Sequence, residues 1–307
     1  MKTLPFLALL GLLLSTPGVA SSPLDGDPRL RLHDDHDQVL ELERPARRIV
    51  SLAPHITEIL FAAGAGEYVV GAVSYSDYPE AARALPRVGA FNNVDLEAVA
   101  ALRPDLVIAW SSGNRSVHLD RFEALGIPVY MNDARRLEDV ARSIVQFGRL
   151  AGTEAVARQA AEDYLARRDT LARTYADRPP VRMFYQIWDN PLMTINGEHL
   201  ISDVIRLCGG ENVFADLPQL APRIGAEAVL IAAPEAIVAS GMGEARPEWL
   251  DRWREWSQLP AARHDNLYFV PPDIIQRHTP RILDGAAQLC AFLEEARAKR
   301  KLHSPHE

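Results

Sequence analysis

The stretch TEAVARQAAEDYLARRDTLARTYADRP, residues 153–179, decides how this chain is built. Its alanine, leucine, glutamate and arginine content favours one uninterrupted helix of about 24 residues, roughly 36 Å long at 1.5 Å per residue. Thr153 is a candidate N-cap and Pro179 marks the stop. The segment before it, LEDVARSIVQFGRLAG (137–152), reads as a second helix closed by Gly152. Strand signal is almost absent from 136 to 178. A helix this long, halfway along the chain, predicts a connection between two lobes.

On both sides of it, strands alternate with helices. Before it come RIVSLA (48–53), VVGAVSY (69–75), DLVIAW (105–110) and PVYM (128–131) as strands, with HITEILFAAGAG, LEAVAALRP and VHLDRFEALG as helices between them. After it, VRMFYQIW (181–188), EAIVASG (235–241) and NLYFVPPD (266–273) read as strands. HLISDVIRLCGG, EAVLIAAP, PEWLDRWREW and PRILDGAAQLCAFLEEARAKR read as helices. Such alternation means βαβ units and mostly parallel sheets. The expected fold is therefore α/β: two Rossmann-like lobes, at 47–152 and 179–307, joined by the helix at 153–178, with a ligand cleft between them. Residues 29–45, RLRLHDDHDQVLELERP, alternate around a polar centre and predict a β-hairpin in an N-terminal extension, 21–46. Its HDDHDQ turn is too crowded for ligands to surround a metal, so a solvated tip is expected.

The two halves echo each other. EAVAALRPDLVI (97–108) and EAVLIAAPEAIV (227–238) share Glu-Ala-Val, a proline seven residues after the glutamate, then an acid and an apolar strand. Glu97 and Glu227 thus occupy matching places in the first turn of a helix. The helix dipole alone would favour them there; a symmetric partner could also receive both at once.

MKTLPFLALLGLLLSTPGVASS opens the chain with one lysine, a short apolar run and small residues. The run is too short to span a bilayer and fits a cleaved secretory signal over 1–20, so an exported, periplasmic protein is expected. The 48% apolar content implies a full core. A net charge of −8 argues against sequence-independent nucleic-acid binding. In an oxidising compartment the two cysteines, Cys208 and Cys290, suggest a disulfide; two buried free thiols are the alternative.

Loops beyond the carboxyl ends of parallel strands are where open α/β sheets bind ligands. SYSDYP (74–79) and PPDIIQRH (271–278) occupy such loops. Tyr75 is expected to face the cleft, whereas Asp77 and Tyr78 are expected to serve the loop itself. Asp273 and Arg277 could pair with each other or present polar atoms to a ligand, and Trp188 either lines the cleft or packs in the core. His55, His118, His199 and His278 are scattered, without metal-ligand spacing. No G-x-S-x-G elbow, H-E-x-x-H or phosphate-cradling glycine loop is present, so a binding protein is expected, not an enzyme.

Several stretches together resemble the periplasmic cobalamin-binding proteins, class III substrate-binding components of ABC importers. They are RIVSLAPHITEILFAAG, SYSDYP, DLEAVAALRPDLVIAW, CGGENVF and HTPRI, spread over about residues 47–295. The resemblance implies two α/β lobes joined by one long helix, and a monomeric carrier. Cobalamin or a related corrinoid would be its transported ligand, with no cofactor. Its partner would be a permease dimer with its ATPase subunits. By resemblance Tyr75 lines the corrin face of the cleft. Phe91 stands where the family often places tryptophan, Met193 where phenylalanine can occur, and Ala221 near another tryptophan position. Trp188 could compensate for this thinner lining. By the same resemblance Asp273 and Arg277 contact the ligand's periphery, Cys208 and Cys290 form the family's disulfide, and Glu97 and Glu227 dock onto permease arginines. Haem and siderophore carriers share parts of the pattern. A haem carrier would use Tyr75 as an iron ligand. A siderophore carrier would place several basic residues in the cleft, and only Arg277 stands out there.

Overall fold

The computed structural model describes residues 29–241 and 245–303; the expected signal segment lies outside the described residues. A hairpin, β1 (Leu30–His33) and β2 (Val39–Leu42), comes first. The first α/β unit then runs β3 (Ile49–Ser51), α1 (Pro54–Ala62), β4 (Val69–Ala72), β5 (Gly89–Ala90), β6 (Asn93–Val94), α2 (Leu96–Ala101), β7 (Leu106–Trp110), α3 (Ser116–Ala124) and β8 (Val129–Asn132). Helices α4 (Leu137–Ala151) and α5 (Glu154–Tyr175) follow. The second unit is β9 (Val181–Gln186), α6 (Leu200–Leu207), β10 (Gly210–Asn212), α7 (Ala226–Ala232), β11 (Ala236–Ala239), α8 (Pro260–Arg263), β12 (Leu267–Phe269), α9 (Pro272–Ile275) and α10 (Ile282–His303).

Each unit builds a four-stranded, all-parallel sheet, ordered β4-β3-β7-β8 in the first and β10-β9-β11-β12 in the second. In chain order both read second, first, third, fourth. The echo extends to side chains. Asp105 accepts from the backbone N–H groups of Arg47 and Arg48, and Glu235 accepts from that of Arg182. Arg48 and Arg182 donate in turn to the carbonyls of Leu102 and Ala232, at the ends of α2 and α7. Arg103 and Ala233, each just before a proline, both adopt positive φ, 45° and 44°. One local device closes the same helix–strand turn in both halves.

Every second strand residue faces the same side of its sheet. Leu106 and Ile108 of β7, with Ala236 and Val238 of β11, join the central core; Val107 and Ala109, with Ile237 and Ala239, join two outer clusters. Burial on both faces explains why these strands read as continuous apolar runs. The central cluster is continuous across both units and takes in residues of α1, α4, α5, α6 and α10. Helices α4 and α5 pack closely because Gly148 has no side chain: a Cβ there would lie 2.2 Å from that of Ala157. Gly152 ends α4 in the left-handed conformation, φ 68°. Cys208 and Cys290 form a disulfide that ties α6 to α10 across 82 residues.

Several local expectations change. The strand expected through Asp273 ends at Phe269, and Asp273 stands on α9 instead. The strand expected through Tyr75 ends at Ala72, because Tyr75 takes φ 64° and turns the chain. PEWLDRWREW forms a 3-10 helix, Glu248–Glu255. Thr153 does not cap α5 through its side chain; its hydroxyl donates instead to Ala63 at the end of α1, 2.7 Å away. The hairpin tip is only half solvated. Asp34 is buried, and Asp35 accepts from the Asn132 side chain, the Asp133 backbone and Arg142, which docks the hairpin on the end of β8.

Candidate functional site

The loops past the carboxyl ends of both sheets meet along one seam. On the first side stand the start of α1, the SYSDYP loop after β4, Trp110 at the end of β7 and Asp133 after β8. On the second stand Trp188 after β9, the start of α6, and the α9–α10 corner.

One flank of this seam is an ion-pair cluster. Glu58 of α1 has a side chain only 2% exposed, and its two oxygens accept from Arg277 and twice from Arg281, at 2.9, 2.9 and 2.6 Å. Arg277 also reaches Asp77 at 2.7 Å and Asp273 at 2.9 Å. Arg281 lies 3.9 Å from the centre of the Tyr78 ring, a cation–π contact. The Asp273–Arg277 pair therefore exists and is also the hub of a larger network. Asp77 and Tyr78 do not merely serve their own loop: both engage arginines some 200 residues further along. Burial raises the Asp77 carboxyl, but the hydrogen bond and charge of Arg277 outweigh this and hold it below its ordinary value.

A row of rings crosses the middle. His278 lies 5.4 Å from His55 and 5.9 Å from His199 between ring centres, so three histidines scattered in sequence are grouped in space. Trp110 packs edge-on against His55 at 5.2 Å and at a tilt against Phe91 at 5.6 Å. Burial holds all three imidazoles neutral. The effect is reinforced at His55 and His199 by His278 and neighbouring arginines; His199 is pushed down to about 3 and His278 to about 4. His199 caps α6, its Nδ1 accepting from the Ile201 N–H. The Nε2 of His55 and Nδ1 of His278 are buried without a hydrogen-bond partner. Among the described residues no group of histidine, cysteine and carboxylate side chains could hold a metal ion.

The aromatic candidates divide between the halves. Tyr75 is 75% exposed and Phe91 36% exposed on the first. Asn114 fixes the Phe91 and Trp110 loops together by bonding the Phe91 and Leu52 carbonyls and the Trp110 N–H. On the second half Trp188 and Met193 pair through their backbones, and Met193 also bridges to Arg223. Glu97 and Glu227 are exposed second residues of α2 and α7, followed two positions later by buried Val99 and Val229. Sequence reasoning missed Trp110 as a seam residue, although it ends a buried strand at its carboxyl end. It also missed Glu58 and Arg281, whose partners are more than 200 residues distant.

The chain belongs to the periplasmic binding protein family, which it matches over residues 49–274. Within that family it is 37% identical over 253 residues to the Vitamin B12-binding protein of Vibrio cholerae, covering 82% of this chain and 91% of the relative. The Yersinia pestis Vitamin B12-binding protein is 36% identical over 245 residues, covering 80% and 85%. The crystal structure of the periplasmic vitamin B12 binding protein of Vibrio cholerae matches with a TM-score of 0.76 at 36% identity, over 82% of this chain and 98% of that one. The apo periplasmic heme-binding protein RhuT from Roseiflexus matches with a TM-score of 0.72 at 25% identity, over 82% and 99%. No described helix is long and apolar enough to cross a membrane.

Proposed function

We propose that this protein captures cobalamin, or a closely related corrinoid, in the periplasm and delivers it to an ABC importer. The observation that carries this reading is the aromatic seam between two matching parallel sheets, in a chain 37% identical to a Vitamin B12-binding protein. A corrin ring is a broad apolar disc with amide arms at its rim. Aromatic faces with a few polar groups at the edge suit it. Tyr75, Phe91 and Trp110 supply such faces from one half, and Trp188 and Met193 from the other. Asp273 and Arg277 offer the polar edge, with Arg277 held by Glu58 and Asp273 by Arg277.

The matched exposure of Glu97 and Glu227 supports their role as paired docking points on a permease dimer with its ATPase subunits. Residues 1–20 act as a cleaved export signal, and the mature protein works as a monomeric carrier without catalysis. Its lobes are 47–152 and 179–307, with 153–178 as the connection and 21–46 as a docked extension. A haem carrier is the second reading, supported by the exposed Tyr75 side chain and the likeness to a heme-binding protein. Isothermal titration of the chain lacking residues 1–20, with cyanocobalamin and in parallel with hemin, separates the two. One-to-one cyanocobalamin binding without hemin binding is expected; hemin binding alone would overturn the corrinoid assignment.

A further inference from the structure

Opposite the Glu58 flank, the seam opens into a cavity of about 490 Å³ lined by Arg135, Arg136, Asp139, Gly197, Glu198 and Arg206. Three guanidinium groups from two halves of the protein meet there. Three of the carboxylates beside them are already occupied; Glu198, which also lines the cavity, is the exposed exception. Asp133 accepts from Arg135 through one oxygen and from Trp110 and Ser112 through the other. Asp139 accepts from the backbone N–H groups of Arg135 and Arg136 and from the Arg142 side chain. Asp203 accepts from the Leu137 N–H across the seam, 2.9 Å away, and from Arg206. These three side chains are 10–19% exposed, whereas Arg135 and Arg206 are 40% and 49% exposed. The outward surface therefore carries three guanidinium groups against the one exposed Glu198 carboxylate. Arg206 also donates to the Gly197 carbonyl, and five N–H donors on each arginine still exceed these contacts. The first turn of the 15-residue helix α4 adds the positive end of its dipole. The cavity adjoins the ring row, because Asp133 joins Arg135 to the Trp110 indole.

We propose that this cavity is an anion subsite that takes the phosphodiester of the corrinoid's nucleotide loop, so that the protein prefers complete, phosphate-bearing corrinoids to those lacking the loop. The assignment rests on the corrinoid reading and adds a specificity device to it. The apolar disc lies against the rings, and its one fixed negative charge lies against Arg135, Arg136 and Arg206. Guanidinium forks suit phosphate oxygens better than any other side chain does. Arg136 and Arg206 are the residues to test, since both are exposed and neither supports the core.

The test is calorimetric titration of wild type and of the Arg136→Gln, Arg206→Gln double variant. The ligands are cyanocobalamin, cobinamide phosphate, and cobinamide, which has neither phosphate nor base. Wild type is expected to bind both phosphate-bearing ligands more tightly than cobinamide. The variant is expected to lose about tenfold for those two, the scale of one charge-assisted hydrogen bond, while cobinamide stays unchanged. Unchanged cobinamide binding also shows that the variant is folded. An equal loss for all three ligands, or no loss for any, overturns the phosphate assignment and leaves the carrier reading intact. Inorganic phosphate that binds wild type through the same arginines, with cyanocobalamin indifferent to them, makes this a free-phosphate site and likewise overturns it. Wild type that binds none of the three corrinoids overturns the carrier reading itself.

Discussion

The two flanks of the seam hold the halves together by opposite means. On the Glu58 side a buried carboxylate is saturated by two guanidinium groups from the other half, and the positive charges are consumed in doing so. On the Asp203 side the crossing bond is a backbone N–H to a carboxylate, and Arg136 and Arg206 nearby stay exposed. Buried, closely matched charge fixes geometry but leaves little for a ligand; exposed, under-used charge does the reverse. The first flank sets the spacing of the halves and positions Arg277. The second is free to recognise.

Removing Glu58 should break this contrast most severely. Glu58→Ala leaves Arg277 and Arg281 without their shared counter-charge in a buried site, a loss of about 3–5 kcal/mol. Urea unfolding checks this, and a variant within about 0.5 kcal/mol of wild type would show that the cluster does not clamp the halves. Next in size is the ring row between the flanks. His278 and His199 fold as neutral imidazoles with values near 4 and 3, against 6.5 unfolded. The unfolded chain therefore takes up protons first. Stability is complete above pH 6.5 and falls as pH drops towards 4, by on the order of 3 kcal/mol for His278 alone. Urea midpoints from pH 7 to 4 should decline for wild type and decline less for His278→Asn; parallel curves would contradict the assignment.

A smaller effect is expected at Asp77, whose side chain is 40% exposed. Its carboxyl is held below the ordinary value, so its contribution is present above about pH 4 and is lost on further acidification. Exposure limits Asp77→Asn to roughly 1 kcal/mol at neutral pH. Smallest on the protein itself should be Glu97→Ala with Glu227→Ala. Both positions are exposed, so stability should change by less than about 0.5 kcal/mol and ligand affinity should stay constant. Uptake through the importer should fall, and lost affinity in the purified double variant would remove these residues from the docking surface.

The sheets and long helices were legible because their signals are local. Apolar runs such as DLVIAW and the uninterrupted composition of 153–178 decide their conformation with few distant terms. The repeated Glu-Ala-Val…Pro pattern also marks two helix–strand turns that the structure closes with the same bonds. The seam was far less legible. Glu58 and Arg277 are 219 residues apart, and no periodicity pairs a helix carboxylate with an arginine in a late loop. The grouping of His55, His199 and His278 arises only when both sheets present their carboxyl ends to each other. Likewise the sequence offers Arg277 alone as a cleft cation, whereas folding brings Arg281, Arg135, Arg136 and Arg206 to the same seam.

A crystal structure of the chain lacking residues 1–20, grown with cyanocobalamin, tests the corrinoid reading most directly. A corrin ring is expected between Tyr75, Phe91 and Trp110 on one side and Trp188 and Met193 on the other. A ligand bound away from this seam, with the seam empty, would contradict it.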